Sequence, residues 1–170
     1  TMMDIPRVLS TRIEAFIDLQ KRGLCKSIGV SNFTIDNLKE LEAKYGVLPA
    51  INQVEFHPYY YQKELLEYCN SKNIIIEAYS PLVHAKRMDE PRLVAISEEL
   101  SKTPAQVLIR WAMQRGMVVL PKSVNQNRII ENFAVFDFEI SDSLMKRLDD
   151  LDETFVTCWD PNNPPPYAPV

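Results

Sequence analysis

The sequence predicts half of a (β/α)8 barrel: an α/β half-barrel of four parallel strands and their helices, closed by a C-terminal helix and loop. Three observations carry this. Short apolar, β-branched runs alternate with stretches of helical periodicity, and the cycle occurs four times along the chain. Strands that alternate with helices pair in parallel through right-handed crossovers. Neither G-x-G-x-x-G nor G-x-x-x-x-G-K-[ST] occurs, so a Rossmann fingerprint and a P-loop lose support. A closed barrel needs eight strands and typically about 250 residues; the chain has 170.

The elements follow in order. Thr11-Arg12-Ile13-Glu14 has the capping-box pattern, with Ile13, Phe16 and Ile17 on one apolar face and Gly23 placed to end the helix. Leu24 to Val30 reads as the first strand. Thr34 caps a helix carrying Leu38, Leu41 and Tyr45, and Gly46 ends it. Ile51 to Phe56 is the second strand, stopped by His57-Pro58. Leu65, Leu66 and Cys69 mark the next helix, and the run Ile74-Ile75-Ile76 the third strand, ending near Tyr79-Ser80-Pro81. The apolar strands read as covered on both faces. Pro91 opens a helix with Leu93, Ile96 and Leu100; Thr103-Pro104-Ala105-Gln106 opens another, with Val107, Leu108 and Trp111 inward and Gly116 at its end. Met117 to Leu120 is the fourth strand. A short helix runs from about Asn125 to Asn132, and Ser141 caps a last one bearing Leu144, Leu148 and Leu151. Residues 1–155 form the partial domain, and residues 156–170 an irregular proline-rich tail.

Composition narrows the class. Hydrophobic residues make up 46% and charged residues 25%, as in a soluble globular domain. Lys plus Arg number 19 against 23 Asp plus Glu, and this net charge of -4 argues against a general nucleic-acid partner while allowing a local basic pocket. Cys25, Cys69 and Cys158 form no C-x-x-C pair and read as reduced thiols rather than a disulfide framework or zinc site. No apolar run approaches the roughly 20 residues of a membrane helix, and the N-terminus lacks a signal-peptide core. A cytoplasmic protein with no membrane partner is the expectation. The chain opens on Thr1, as an internal fragment or a processed form would.

Polar residues recur at the strand ends, where barrels place their sites. Ser31-Asn32 follow the first strand, Gln53 sits within the second, Tyr79-Ser80 close the third, and Lys122-Ser123 follow the fourth. Four such positions in register imply a shared ligand surface. Lys122 and Arg128 flank a helix start, and two cations beside free helix N–H groups favour an anion such as phosphate. Two solvated surface charges would give the same pattern.

These segments resemble the aldo-keto reductase family. The stretch Ile28-Gly29-Val30-Ser31-Asn32-Phe33 is similar to the region of its fifth strand, and Asn52-Gln53-Val54-Glu55-Phe56-His57-Pro58 to its sixth. Ala78-Tyr79-Ser80-Pro81-Leu82 resembles the end of the seventh, and Pro121-Lys122-Ser123 with Arg128 and Glu131-Asn132 the eighth and the adenosine-phosphate segment. Order and spacing agree from about Thr11 to Asp160, so the chain corresponds to the second half of the barrel.

The resemblance implies NADP(H) as cofactor and reduction of aldehydes or ketones by hydride transfer as the family activity. It implies that Ser31, Asn32 and Gln53 hold the nicotinamide carboxamide, that Tyr79 stacks on the ring, and that Ser80 and Leu82 line the pyrophosphate path. Lys122, Ser123, Asn125 and Arg128 would hold the 2′-phosphate, and Glu131 and Asn132 the adenine. The family's catalytic Asp, Tyr, Lys and His belong to the first half of the barrel, so no catalytic residue is assigned here and the isolated chain is expected to be inactive. His57 falls in the sixth-strand motif and reads as structural, His84 as a loop residue. Their separation gives no metal-ligand spacing. Trp159 either touches substrate or packs on the barrel. A carbonyl or alcohol substrate would require the missing half, and open barrel edges invite self-association. The alternatives are a non-catalytic NADP-binding or protein-interaction module, and a half-barrel that pairs with itself or with a separate N-terminal half.

Overall fold

The computed structural model describes residues 7–158. Helix α1 (Arg7–Lys21) leads to strand β1 (Gly29–Ser31), α2 (Ile35–Tyr45), β2 (Ile51–Glu55), α3 (Lys63–Ser71) and β3 (Ile75–Tyr79). A 3-10 turn at Val83–Ala85 precedes α4 (Pro91–Leu100), α5 (Pro104–Gln114), β4 (Val118–Val119), α6 (Gln126–Phe133) and α7 (Asp142–Asp149). The four strands form one parallel sheet in the order β1-β2-β3-β4, leaving β1 and β4 as its edges.

Successive strand residues face opposite sides of a sheet, and burial follows that period. Val30, Asn52, Val54, Ile76, Ala78 and Val119 point to the side carrying the helices and are buried or half-buried. Gly29, Ser31, Ile75 and Val118 point the other way and are exposed, and Gln53 and Glu77 on that face are half-buried. The helices therefore cover one face. The expectation of two covered faces is corrected: in the described residues, the concave side that a full barrel would fill is open.

Capping chemistry sets most helix boundaries. The Thr34 hydroxyl accepts the Asn37 N–H at 3.3 Å while the Thr34 N–H donates to the Asn37 side chain at 3.0 Å. Thr103 and Gln106 form the same reciprocal pair before α5, with Pro104 as the first helical residue. Each pair satisfies backbone donors that have no partner within the helix. Ser141 departs from this. It occupies the N-cap position of α7, but its hydroxyl pairs with Ser143 instead of the helix backbone.

Two further boundaries differ from the sequence reading. Helix α1 begins at Arg7, so Thr11 lies inside it, and Phe16 is 46% exposed although Ile13 on the same helix is buried. The first strand is shorter than Leu24 to Val30. Gly23, at φ 72°, turns the chain out of α1, with the Leu24 N–H donating to Leu19 O at 3.0 Å, and Leu24 is 65% exposed. The ladder starts where the Ala50 N–H donates to Ile28 O at 2.8 Å. Pro49, one residue earlier, has no N–H with which to extend it.

The core lies between sheet and helices, around Leu38, Leu41, Phe56, Ile76, Leu93, Ile96 and Trp111. Trp111 packs edge-on to Tyr61 with ring centroids 5.3 Å apart, and its indole N–H donates to Asp149 at 2.8 Å. Arg115 bonds the other oxygen of that carboxylate, tying α5 to the end of α7. Leu41→Ala, which opens a cavity in this core, should lower the free energy of unfolding by about 2–5 kcal/mol. Leu24→Ala should change it by less than about 0.5 kcal/mol. Urea midpoints of the two variants against the parent chain check the contrast.

Candidate functional site

Parallel pairing brings all strand C-termini to one end of the sheet. Ser31, Gln53 and Glu77 occupy a single register row across β1, β2 and β3, and Glu55 pairs with Tyr79 one step further on. The row is hydrogen-bonded. The Ser31 hydroxyl donates to the Gln53 carbonyl at 3.0 Å, and the Gln53 amide donates to Glu77 at 2.5 Å.

Asn32 leaves the sheet with φ 58°, its N–H donating to the Gln53 carbonyl at 2.9 Å. Asparagine tolerates this left-handed conformation better than most residues. Its side-chain oxygen accepts the Tyr79 hydroxyl at 3.0 Å. Burial, and then the neighbouring Cys158 and Glu55 side chains, push the Tyr79 phenol up to about 12, so it stays a neutral donor at ordinary pH. Behind the sheet, fully buried Asn52 donates to Phe33 O at 2.9 Å and accepts the Phe33 N–H at 3.3 Å. The loop that carries Ser31 and Asn32 is thereby fixed from the core side.

A second group gathers around the start of α6. A cavity of about 460 Å³ is lined by Leu82 and His84 from the β3–α4 connection, by Thr103 and Pro104, and by Lys122, Ser123, Arg128, Glu131 and Asn132. Asn125 caps the helix, its side-chain oxygen accepting the Arg128 N–H at 3.1 Å, and Ser123 in turn accepts the Asn125 N–H at 3.1 Å. Lys122 and Arg128 are exposed, and neither forms an ion pair with a described residue. Two cations at a helix N-terminus are an arrangement that favours an anion, through unpaired N–H groups and aligned peptide dipoles. The Glu131 carboxylate accepts the Thr103 hydroxyl at 2.6 Å, and Gln106 donates to Glu131 O at 3.2 Å and Ala134 O at 2.9 Å, fastening α6 to the start of α5.

Of the residues expected at the site, Leu82, Lys122, Ser123, Arg128, Glu131 and Asn132 line this cavity together. Ser31, Asn32, Gln53 and Tyr79 form the bonded group at the strand ends. Ser80 bonds His84 at 3.0 Å, and Asn125 serves the helix cap. Trp159 lies outside the described residues. Among these residues no cluster of His, Cys, Asp and Glu could hold a metal ion, and no helix is long and apolar enough to cross a membrane.

Sequence reasoning missed Glu55, Glu77 and Asn52 as organising groups. The signal was there: each is a polar residue inside a strand segment. Glu55 is only 2% exposed and lies beside the equally buried His57, which donates to it at 3.1 Å. It also accepts the Thr157 N–H at 2.8 Å, the Cys158 N–H at 3.1 Å and the Thr157 hydroxyl. Burial alone would raise its pKa; the hydrogen bonds from His57, Thr157 and Cys158 outweigh burial and lower it to about 2. His57 is thus committed to a structural pair.

An open parallel half-barrel with a polar row and a cavity bearing two cations at its strand ends defines a fragment of β/α-barrel architecture. The chain belongs to the aldo/keto reductase family, whose profile matches residues 7–153. It is 45% identical over 135 residues to the glyoxal reductase of Bacillus subtilis, covering 79% of this chain and 49% of that protein. It superposes on an aldo-keto reductase from a Medee basin deep-sea metagenome with TM-score 0.88 and 34% identity, covering 96% of this chain and 61% of that one. A Bombyx mori aldo-keto reductase crystallised in complex with NADP gives TM-score 0.77 at 32% identity, with 84% of this chain and 50% of that one covered. The chain spans about half the length of the curated relatives it matches, 52% and 49% for two from Bacillus subtilis.

The Glu55 carboxyl has an acid-side signature. Because its folded pKa is about 2 against an ordinary 4.5, its contribution to stability is complete above pH 4.5 and is lost as pH falls through about 2. Glu55→Gln should flatten the acid-induced loss of stability in that window, read from intrinsic fluorescence during acid titration. A variant whose acid transition coincides with that of the parent would overturn the assignment.

Proposed function

We propose that this chain is the cofactor-holding half of an NADPH-dependent carbonyl reductase and that it binds NADP(H) in preference to NAD(H). The supporting observation is the cavity in which Lys122 and Arg128, neither in an ion pair with a described residue, meet Ser123 at the start of α6. A 2′-phosphate is the group that such a site recognises: arginine offers a planar fork and lysine a second charge. Glu131 and Asn132, on the same helix, face the adenine end.

The strand-end group serves the nicotinamide end. Ser31, Asn32 and Gln53 bind the carboxamide. The Gln53 amide spends one N–H on Glu77, which fixes its orientation and leaves its oxygen to accept. Tyr79 is held at its hydroxyl by Asn32, so the ring is presented as a stacking face. Ser80 and Leu82 line the path between the two ends. When bound, the cofactor supplies the hydride that reduces an aldehyde or ketone; the protein's part is to orient the ring at close approach.

Proton delivery to the carbonyl oxygen falls to the other half of the barrel. Among the described residues here, His57 is locked to Glu55 and Tyr79 is turned to Asn32. The isolated 170-residue chain is therefore inactive, and a general acid of the kind it lacks is worth about 10² to 10⁴ in rate. The open face and the edges β1 and β4 favour self-association in its absence, since neither edge strand carries a proline or charge. We place the protein in the cytoplasm on the character of its three free thiols.

Calorimetric titration tests the cofactor reading. NADP should bind more tightly than NAD, and Arg128→Ala should remove roughly 1.5–3 kcal/mol of the difference, the worth of a charge-assisted hydrogen bond. Equal affinities in a folded sample would sink the phosphate site. Aldehyde-dependent NADPH oxidation by the pure chain should be undetectable, and turnover that disappears in His57→Ala would overturn the division of labour between the halves.

A further inference from the structure

One titratable side chain in the cavity wall has no part in the cofactor reading. His84 lines the same 460 Å³ space as Lys122, Ser123, Arg128 and Glu131. The turn that carries it is rooted in the core: Val83, immediately before it, is fully buried, whereas His84 is exposed. The Val83 N–H donates to Ser80 O at 2.9 Å and the Ala85 N–H to Leu82 O at 2.7 Å. The ring is thus held at one place, bonded to Ser80 just beyond β3 and sharing a cavity with the two cations around the start of α6.

The charges around the ring come from several elements. Lys122 and Arg128 contribute two cations and Glu131 one carboxylate, which accepts the Thr103 hydroxyl at 2.6 Å. From the C-terminal side the Cys158 sulfur lies 3.4 Å from Nε2, and Glu55 accepts the Cys158 N–H. On the ring's own turn Lys86 is exposed, and Arg87 is directed to Glu153 at 3.1 Å. Nε2 therefore meets Ser80 and Cys158, and Nδ1 is the ring nitrogen left to face a ligand. Histidine is the side chain that ordinarily changes charge between pH 5 and 8. Without a ligand, an imidazolium in this wall stands with two other cations. With a phosphate seated among them, it gains an anion. The Coulomb energies of the two situations differ in sign, so the anion and the proton favour one another's binding.

We propose that His84 binds the diphosphate of the cofactor in its protonated form, so that this protein takes up a proton as it takes up the nucleotide. The inference rests on the cofactor reading above and adds a pH dependence to it. Protonated, the ring donates Nε2–H to the Ser80 hydroxyl and Nδ1–H to a diphosphate oxygen. Leu82, on the same path as Ser80, lines the cavity beside it. The diphosphate keeps its negative charge throughout the neutral range, so the ring is the partner that titrates. Its contribution to affinity is present on the acid side and is lost as pH rises through the imidazole range.

Calorimetric titration of the full chain with NADP, in buffers of different ionisation enthalpy, reads proton uptake and affinity together. At pH 7 the parent should take up about half a proton more than His84→Gln. Between pH 6 and pH 8 the parent's affinity should fall roughly five- to tenfold more than the variant's, as loss of one charge-assisted hydrogen bond requires. The 2′-phosphate titrates near pH 6 in both proteins, so the difference between them isolates the ring. His84→Arg, with a permanent charge, should bind tightly across the range and take up no more protons than His84→Gln, a pattern that a purely structural turn residue does not produce. Both substitutions fall on an exposed ring, and circular dichroism reports that the fold survives. Equal proton uptake and parallel pH profiles in the parent and His84→Gln would overturn the inference and leave the cofactor reading standing. Absence of NADP binding in the folded parent would overturn both.

Discussion

The pairing of β2 with β3 is the constraint on which the rest depends. It is the longest ladder in the sheet, five register pairs from Ile51↔Ile75 to Glu55↔Tyr79. Side chains alternate across a strand with period two. Once that register is set, Asn52, Val54, Ile76 and Ala78 must face the helices, and Gln53, Glu55, Glu77 and Tyr79 must face the open side. A slip of one residue would put Gln53, Glu55 and Glu77 into the apolar layer and expose the aliphatic set. The same alternation thus sorts core from site, and no separate device is needed to assemble the polar row.

The two ends of the site rest on different physics. At the strand ends, geometry is fixed by hydrogen bonds between strands, with Asn52 steadying the loop from behind. Around α6, position is fixed by caps and by the Thr103–Glu131 and Gln106–Glu131 bonds, while the cations themselves stay exposed. The first group gives orientation and the second gives charge. A long ligand with an aromatic end to orient and an anionic end to recognise matches that division.

Helix starts with a strong cap were legible in the sequence: Thr34, Thr103 and Asn125 all stand at the helix entrances expected of them. The polar strand-end residues were legible too, because they interrupt apolar runs. Less accessible were features decided by contacts far away in sequence. The first strand is cut to Gly29–Ser31 by what its neighbour can pair, and nothing in Leu24 to Ile28 announces this. Ser141 has the right residue type for a cap, yet its hydroxyl prefers Ser143. The turn at Val83–Ala85 carries no glycine, so local chemistry gave no warning of its positive φ angles. Glu55 was visible inside its motif, but its partners at Thr157 and Cys158 lie 102 and 103 residues on.

That last separation bears on the order in which the molecule assembles. Closing a loop carries an entropic cost that grows with its length, and contacts distant in sequence form late in folding. The sheet can complete itself from strands at most a few dozen residues apart, but the bonds from Thr157 and Cys158 to Glu55 and from Phe155 to Tyr59 O wait for the end of the chain. With Thr157 and Cys158 in place the Glu55 carboxylate is almost wholly enclosed. Glu55 is in this sense a clasp that is fastened after the garment is sewn, and a chain emerging from the ribosome carries it open until residue 157 is free of the exit tunnel.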